Sequence, residues 1–450
     1  MAPRQLHLNV NTLNAGFYSS AWRAPSSDPR AYADIAHYVK VAQIAERGTF
    51  DAIFLADVPA FSDRPDLRPF QALEPTIVLA HVAAATEHLG LIGTASTSFN
   101  DPYNLARRFA SLDIASNGRV GWNIVTTADA SAARNFGTDE LEAHANRYER
   151  ADEFADVVTA LWDSWEDDAF VGDKGTGHFI DTAKVHPIEH RGRHFSVRGP
   201  LNVPRSAQGR PVLVQAGGSA DGIRLAARHA EAIFSVAHTL EEALAFAGSV
   251  RTQARTFGRN GDDIVILPGL AAIIGSTEAE ARRREEELWA LTPGDYGLRR
   301  VAGILKVDPA SLDLDGPLPD VARPVDGMQT FFDALVGAAD REKLTVRQLI
   351  RRFGGSTGHR VIVGTPEAIA DDIEAWFTAG AVDGFNLMPD VLPEGLEVFV
   401  DHVVPLLRKR GLFRTHYSGR TLREHFGLPR PASRFAPGTA VCAPRIAAGR

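Results

Sequence analysis

Three polar side chains stand where apolar runs of the sequence end. Asp57 closes a run that begins at Ala52, Thr94 lies within LIGTAST, and Asn123 lies within GWNIV. Such runs are typical of parallel strands buried on both faces, and in a barrel of these strands binding residues gather at the carboxyl ends. Each residue alone also has a structural explanation, such as a loop cap for Asp57 or β propensity for Thr94. Together the three predict a ligand site on one rim.

A second set of residues could bind a phosphate or a heteroaromatic ligand. His144 and Tyr148 are four residues apart, so a helix places them side by side, with Arg147 next to them. Farther along, a strand-like run leads into Gly218 and Ser219 before a helix begins. Backbone N–H groups at such a helix start form an anion site when glycines allow close approach. The alternatives are a solvated helix face and a simple turn, and we favour the anion site.

Two motifs match catalytic patterns without the context that the chemistry needs. Residues 186–190 match H-x-x-E-H, but Pro187 opposes the helix that would bring two zinc-binding histidines together. Residues 354–358 match G-x-S-x-G, but a predicted helix precedes the motif and an apolar run follows it, the reverse of a nucleophile elbow. The sequence contains neither G-x-G-x-x-G nor a P-loop motif. We therefore predict no metal site, and we name no catalytic side chain.

The elements that must position these residues alternate between strand and helix. Eight apolar runs predict strands, and they are residues 6–10, 52–55, 90–97, 120–126, 211–215, 232–236, 264–274 and 382–388. Helical spacing of apolar residues fills most of the intervals between them. This alternation predicts an α/β protein, and eight strands favour a (β/α)8 TIM barrel with insertions over an open doubly wound sheet.

The remaining segments predict the bounds of the barrel domain, its insertions and its tail. We expect one barrel domain over residues 1–428, with insertions near 126–210 and 275–360, and a disordered tail over 429–450. The stretch 170–209 is rich in Gly, Pro and His and predicts short hairpins. Residues 292–327 are rich in Pro, Gly and Asp and predict a loop or a mobile lid over the substrate side.

Composition excludes several classes of protein. The 450 residues carry 48 Lys plus Arg against 56 Asp plus Glu, and a net charge of −8 argues against a nucleic-acid or anionic-membrane binder. Cys442 is the single cysteine, so an internal disulfide and a cysteine-based metal site are excluded. The first residues contain no apolar signal core, and no run of 18 apolar residues occurs. We expect a soluble, cytoplasmic protein.

Longer stretches of the sequence resemble a known family. They are FDAIFLADVPAF, GTASTSFNDPYNLARRFASLDIASNGRVGWNIVTT, HANRYERADEF, LWDSWEDDAF, HRGRHFSVRGPLNVP, QAGGSADG, GTPEAIADDIEAWF and DGFNLMPDVLPEGLEVFVDHVVPLLRKRGLFR. The chain resembles the bacterial-luciferase-like flavin monooxygenases, in the branch that contains nitrilotriacetate, dimethyl-sulfide and dibenzothiophene-sulfone monooxygenases. The resemblance spans residues 10 to 430 and implies a (β/α)8 barrel that binds reduced FMN at its carboxyl-terminal face.

The resemblance also implies roles for individual residues. Asp57, Thr94 and Asn123 would surround the flavin ring and the ribityl chain. The phosphate end would be held by His144, Tyr148, Gly218 and Ser219. A cis peptide bond without proline is expected between Gly93 and Ser98.

The substrate side is less well defined by the resemblance. Many relatives carry a histidine shortly before the Ala-Trp-Arg of the first loop, and residues 16–23 here lack it. The substrate therefore does not carry over. We expect Tyr18, Phe61, Asn100 and Tyr103 to lie near the substrate.

The resemblance implies an FMNH2-dependent, two-component monooxygenase that uses O2 to oxidise a small organosulfur or amine-type compound, with cleavage of a C–S or C–N bond. A separate NAD(P)H:flavin reductase would supply the FMNH2, and we expect a homo-oligomer, either a dimer or a tetramer. Two alternatives stay open, a deazaflavin-dependent hydride-transfer oxidoreductase and a flavin-binding protein without turnover.

Overall fold

Eight parallel strands close into a barrel in the computed structural model, which describes residues 4–61, 65–322, 329–355 and 358–436. The strands of the chain are β1 (His7–Asn11), β2 (Ala52–Leu55), β3 (Gly90–Ser96), β4 (Val120–Val125), β5 (Phe170–Asp173), β6 (His178–Ile180), β7 (His190–Arg191), β8 (Ser196–Val197), β9 (Val212–Gln215), β10 (Ala232–Ser235), β11 (Val265–Ile274), β12 (Arg360–Gly364) and β13 (Gly384–Pro389). The barrel order is β1-β2-β3-β4-β9-β10-β11-β13, and β13 pairs with β1 to close the ring. The predicted (β/α)8 barrel is confirmed.

Helices surround this barrel and connect its strands. They are α1 (Ile35–Arg47), α2 (Pro75–Ala85), α3 (Pro102–Ala115), α4 (Ala130–Ala133), α5 (His144–Trp162), α6 (Ala220–His229), α7 (Leu240–Thr256), α8 (Glu278–Ala290), α9 (Tyr296–Leu305), α10 (Gln329–Glu342), α11 (Val346–Leu349), α12 (Pro366–Thr378), α13 (Glu394–Val398), α14 (Val404–Lys409) and α15 (Leu422–His425). Among the described residues, no helix is long and apolar enough to cross a membrane.

The two faces of the barrel strands have different partners. On β1, Leu8 and Val10 belong to the large core between strands and helices, so alternation turns Asn9 and Asn11 toward the barrel interior. At the amino-terminal end of the barrel, Leu422 of α15 packs with inward-facing strand residues and closes the interior. Open access to the interior is therefore left at the carboxyl-terminal end, where the loops that follow the strands lie.

β12 is an additional strand that the sequence pattern did not predict. It pairs with Leu270–Ile274, the second half of β11, while β10 pairs with Val265–Pro268. Because β13 occupies the other edge of β11 over Gly269–Ala272, β10 and β12 share one edge in succession. The apolar run that forms β12 is only partly buried, so it lacks the continuous burial of the other barrel strands.

The stretch 170–209 forms hairpins, as predicted. β5 pairs antiparallel with β6, and β7 pairs antiparallel with β8. The second hairpin is fastened to α5, because the Glu153 carboxylate accepts hydrogen bonds from the backbone N–H groups of His194 and Phe195, both at 2.9 Å.

The prediction of a loop over residues 292–327 is wrong in its local structure. The segment contains α9 and a short 3-10 turn, and α9 buries Val301 and Leu305 against Phe332 and Leu335 of α10. Apolar residues at helical spacing, bounded by Pro293 and by residue 306, supply the buried face that the Pro and Gly content concealed. Residues 323–327 lie outside the described part of the chain.

The start of the expected disordered tail is packed on the barrel. Arg430 pairs with Asp167 at 2.7 Å, and the backbone N–H of Arg434 donates to Asp163 at 2.7 Å. These contacts hold residues 429–436 in place, which differs from the expectation, whereas residues 437–450 lie outside the described residues.

Candidate flavin site at the barrel mouth

Two residues of the predicted flavin site meet on adjacent strands. Thr94 of β3 and Asn123 of β4 are register partners, both buried, and Asn123 Nδ2 donates a hydrogen bond to Thr94 Oγ1 over 2.8 Å. Parallel pairing fixes this register because each strand is flanked by apolar neighbours on its outer face. The pair gives the inner wall one amide and one hydroxyl side by side.

Asp57 lies two residues beyond the end of β2 and is partly buried. Burial, together with the nearby charge of Glu74, raises the pKa of its carboxyl from 3.8 to about 6. A carboxyl in this range changes its protonation close to physiological pH, which is typical of functional sites.

The predicted phosphate-binding residues come together on α5 and α6. Ser219 caps α6, and its Oγ accepts from the backbone N–H of Gly222 at 3.1 Å. A Cβ atom placed on Gly217 would lie 3.6 Å from Tyr148 Oη, so the phenol faces the glycine turn that contains Gly218. A hydroxyl, a phenol and the amino end of a ten-residue helix thus converge, which suits an anionic group.

His144 borders the same place. Its ring lies 4.7 Å from the Tyr148 ring between centroids, and its Nδ1 is 3.1 Å from Asp221 Oδ2 in the first turn of α6. The Asp221 carboxylate orients the imidazole, so that the ring connects α5 to the start of α6.

Buried polar side-chain atoms line the barrel interior. Among the described residues, buried side-chain atoms that have no hydrogen-bond partner include Asn9 Oδ1, Asn11 Oδ1, Asn123 Oδ1, Gln215 Oε1, Asn386 Oδ1 and Asn386 Nδ2. An unsatisfied buried polar group costs about 1–3 kcal/mol, so native proteins rarely accumulate them without a function. Ser219, Tyr148 and the amino end of α6 together form a cradle for an anionic group. A flat heteroaromatic ring with alternating donors and acceptors, continued by a polyol chain and a phosphate, would satisfy both these atoms and the cradle.

Asn9, Asn11 and Asn386 were missed in the sequence analysis. Asn9 is the register partner of Asn386, and Asn386 in turn pairs with Gly269 of β11. The signal was present, because asparagine is disfavoured in strands and occupies inward-facing alternate positions of β1.

The residues expected near the substrate divide into two pairs. Asn100 donates from Nδ2 to the Ser96 carbonyl at 2.8 Å, and Tyr103 donates to the Pro200 carbonyl at 3.4 Å, so both polar groups already have protein partners. Tyr18 is buried against Phe17, and its hydroxyl pKa is raised by burial. Phe61 is 68% exposed on the loop after β2. Their placement near a substrate stays a prediction.

The expected cis peptide bond near the end of β3 is not present. Within the described residues the cis bonds are Gly199–Pro200 and Leu392–Pro393. β3 pairs with β4 residue by residue from Leu91 to Ser96, so the strand keeps a regular register where the cis bond was expected. A cis bond without proline costs about 3–4 kcal/mol, and regular pairing offers nothing to offset it.

The motifs set aside in the sequence occupy other places. His186 Nε2 contacts Glu166 at 2.8 Å and His190 Nε2 contacts Glu153 at 2.9 Å, so the two histidines have separate acidic partners. The serine of G-x-S-x-G, residue 356, lies outside the described residues.

Comparison with known proteins agrees with this geometry. Residues 17–383 match the luciferase-like monooxygenase family. The chain belongs to this family. Its sequence is 44% identical to N-acetyl-S-(2-succino)cysteine monooxygenase of Bacillus subtilis (strain 168), over 96% of this chain and 99% of that protein. It is also 44% identical to component A of nitrilotriacetate monooxygenase from Aminobacter aminovorans, over 97% and 99% of the two chains.

A solved structure supports the same assignment. Riboflavin lyase with modified FMN and riboflavin superposes with a TM-score of 0.85 at 33% identity, covering 95% of this chain and 97% of that one. This luciferase-like chain is therefore a flavin-dependent monooxygenase, as the sequence predicted.

Proposed function

We propose that this luciferase-like monooxygenase binds reduced FMN and uses O2 to oxidise a small organosulfur or amine-type compound, with cleavage of a C–S or C–N bond. A separate NAD(P)H:flavin reductase supplies the FMNH2. The observation that carries the proposal is the group of barrel amides that have no hydrogen-bond partner among the described residues, together with the Ser219–Tyr148 cradle. The compounds named for the two relatives are a thioether and a tertiary amine, and both carry several carboxylates.

Different residues hold different parts of the cofactor. Asn123, Thr94 and Asp57 border the flavin ring and the ribityl chain, while Ser219 and Tyr148 donate to the phosphate. Bound FMNH2 supplies the electrons and the position at which O2 reacts. The chain holds the cofactor in a fixed orientation and shields it from water, since α15 closes the amino-terminal end of the barrel.

His144, Gly218 and the cradle give the phosphate site its selectivity. Gly218 lies in the turn between β9 and α6, directly before the Ser219 cap. His144, held by Asp221, adds a ring nitrogen that can donate a hydrogen bond.

Anaerobic titration tests the proposed cofactor directly. The purified chain is titrated with FMNH2, oxidised FMN, reduced riboflavin and a reduced deazaflavin. Tight binding of FMNH2, weaker binding of riboflavin and weak binding of the deazaflavin are expected. Preference for the deazaflavin would favour hydride transfer instead, and FMNH2 binding without O2 consumption coupled to substrate oxidation would indicate a flavin-binding protein. The expected dimer or tetramer stays a prediction that light scattering tests.

A further inference from the structure

The His359 ring occupies space inside the barrel that a side chain at Gly269 would otherwise fill. On β11, Leu270 and Ala272 belong to the large core between strands and helices, so alternation turns Gly269 toward the interior. A Cβ atom on Gly269 would lie 2.3 Å from His359 Nδ1, a distance at which the two atoms overlap. The glycine therefore makes room for the imidazole inside the barrel.

The strand pattern explains how this ring enters the wall of the barrel. β10 pairs with β11 as far as Pro268, and β12 pairs with the same edge of β11 from Leu270 onward. Gly269 lies between these two pairings, and His359 directly precedes β12. The imidazole thus reaches the interior through the gap between two strands that share one edge.

Aromatic neighbours fix the orientation of the imidazole. Its ring stacks on Phe234 of β10 with centroids 5.0 Å apart and an interplanar angle of 8°, and Phe331 of α10 meets it edge-on at 5.6 Å and 84°. His359 is only 8% exposed. Burial lowers the pKa of His359 to about 3, with His238 and Arg300 acting in the same direction, so the imidazole is neutral at physiological pH. His359 and Phe234 therefore form a flat, uncharged wall within the barrel.

This His359–Phe234 wall lies across the barrel from the Thr94–Asn123 wall of the candidate flavin site. In the order β1-β2-β3-β4-β9-β10-β11-β13, β3 and β11 are four strands apart in either direction, so they stand opposite each other. The interior of an eight-stranded barrel is narrow, and side chains alone can fill it. A flavin ring against Thr94 and Asn123 therefore leaves the substrate the limited space in front of the opposite wall.

The same side of the barrel contains a residue that we expect near the substrate. Tyr18 packs in a buried cluster with Ala271 of β11 and Met388 of β13, and Phe234 packs against this cluster. Tyr18 belongs to the first loop and is far from His359 in the sequence, yet Phe234 contacts the surroundings of both. Two distant segments thus converge on the side opposite the candidate flavin wall.

We propose that the His359 ring limits the size of the substrate that fits between the flavin and this side of the barrel. The inference rests on the proposed function and narrows its substrate to a compact aliphatic compound, without an aromatic ring at the C–S or C–N bond that is cleaved. Protein interiors are close-packed and yield little to added volume, so the imidazole excludes a substrate ring from the space that it fills. His359 is therefore a specificity-determining residue.

Matched pairs of probes test this limit by equilibrium binding to the FMN-loaded chain. The members of each pair share a head group and differ in aromatic rings. The pairs are dimethyl sulfone and dibenzothiophene sulfone, dimethyl sulfide and dibenzyl sulfide, and iminodiacetate and N-benzyliminodiacetate. The wild-type chain should bind the small member of at least one pair about 10-fold or more tightly than its aromatic partner, since even one methylene group can change discrimination by that factor. His359→Ala should abolish this difference.

Two control variants separate the loss of volume from other effects of the substitution. His359→Phe keeps a ring and removes both nitrogens, so it should retain the discrimination. His425→Ala removes a histidine that is also buried, on α15 at the amino-terminal end of the barrel, and should leave every affinity unchanged. A cavity at position 359 lowers thermal stability in any case, but a purely structural role would not make the aromatic probe bind more tightly.

Gly269→Ala tests the same contact from the neighbouring strand. Its Cβ would overlap His359 Nδ1 and displace the ring into the substrate space, so the small probe should bind more weakly. Adding His359→Ala to this variant should restore binding of the small probe, because the methyl group then has room. An equal loss in the single and the double variant would count against the proposal.

The outcomes distinguish this inference from the proposed function. Equal binding of both members of every pair by the wild-type chain, a difference that persists in His359→Ala, or a difference that disappears in His425→Ala would overturn the role of His359. FMNH2 binding is measured on the same samples and should not change in His359→Ala. If the wild-type chain binds neither FMNH2 nor any small probe, the proposed function fails, whereas normal FMNH2 binding without size discrimination refutes only the role of His359.

Discussion

Asn123 donates its amide hydrogen to Thr94 across two neighbouring strands over 2.8 Å and leaves its own Oδ1 buried without a partner in the described residues. The hydrogen bond fixes which end of the amide is free, since the nitrogen is already used. An acceptor atom is thereby presented to the interior, where it can meet a ring N–H. The paired strands β3 and β4 therefore form one wall of the candidate flavin site.

Removing an amide without a described partner should raise the free energy of unfolding and at the same time weaken FMNH2 binding. Asn386 has no described partner for either side-chain polar atom, so Asn386→Leu should raise the free energy of unfolding of the flavin-free chain by about 1 kcal/mol. The same change should weaken FMNH2 binding. Urea unfolding and anaerobic titration measure the two effects, and Asn104→Leu on the exposed start of α3 is the control. A flavin-free chain that loses stability would contradict this account of the interior.

The cradle at α6 should respond to single-atom changes. Ser219→Ala and Tyr148→Phe each remove one hydrogen bond to a charged group, so FMNH2 should bind about 10- to 150-fold more weakly. Ser219→Ala should also cost about 0.5–2 kcal/mol of stability because Ser219 caps α6. Thr277→Ala, which removes the cap of α8, should cost stability without affecting FMNH2. Unchanged FMNH2 affinity in both cradle variants would refute the assignment.

The barrel strands were predictable because burial on both faces imposes continuous apolar runs. β2 was predicted with its observed bounds, Ala52–Leu55. β12 was not predicted as a barrel strand because it extends an edge already shared with β10, and its partial burial weakens the pattern. α9 was missed because prolines and glycines around it indicate a loop, while its partners on α10 lie elsewhere in the chain.

The candidate site was predictable only in part. The cradle residues at Ser219 and Tyr148 follow from local spacing and from the resemblance. Asn386 does not, because an unpartnered atom is defined by everything packed around it, which a sequence does not display. The site's polar interior therefore depends on the closed ring of strands, which no local pattern of residues displays.

The raised pKa of Asp57 should make stability depend on pH. Between 3.8 and about 6 the folded chain holds more protons at this site than the unfolded chain, so the Asp57 contribution to the free energy of unfolding falls as pH rises through this window. Asp57→Asn should remove that fall. The gain in the free energy of unfolding over the wild-type chain should be largest above about pH 6. Urea unfolding from pH 4 to pH 8 measures this, with the exposed Asp139→Asn as control. An equal benefit of Asp57→Asn at pH 4 and pH 8 would argue against the raised value.

The close contact between α9 and Gly354, the last residue of the helical segment Ile350–Gly354, should not tolerate a methyl group. Gly354→Ala places a Cβ 2.7 Å from Gly297 Cα and should cost about 1–3 kcal/mol by overpacking. Gly303→Ala on the same helix meets no atom within 4 Å and should add about 0.5–1 kcal/mol through helix propensity. Thermal unfolding of the two variants measures the contrast, and equal effects would show that α9 is not held by this contact.

The incorporation of oxygen from ¹⁸O2 tests the central claim most directly. The purified chain is incubated with FMN, NADH, ¹⁸O2 and nitrilotriacetate or N-acetyl-S-(2-succino)cysteine, with and without an added flavin reductase, and the products are examined by mass spectrometry. The account predicts a cleaved product with one labelled oxygen atom from at least one substrate, formed only when the reductase is present. Product formation at the same rate without the reductase, or a cleaved product that carries no label from ¹⁸O2, would contradict it.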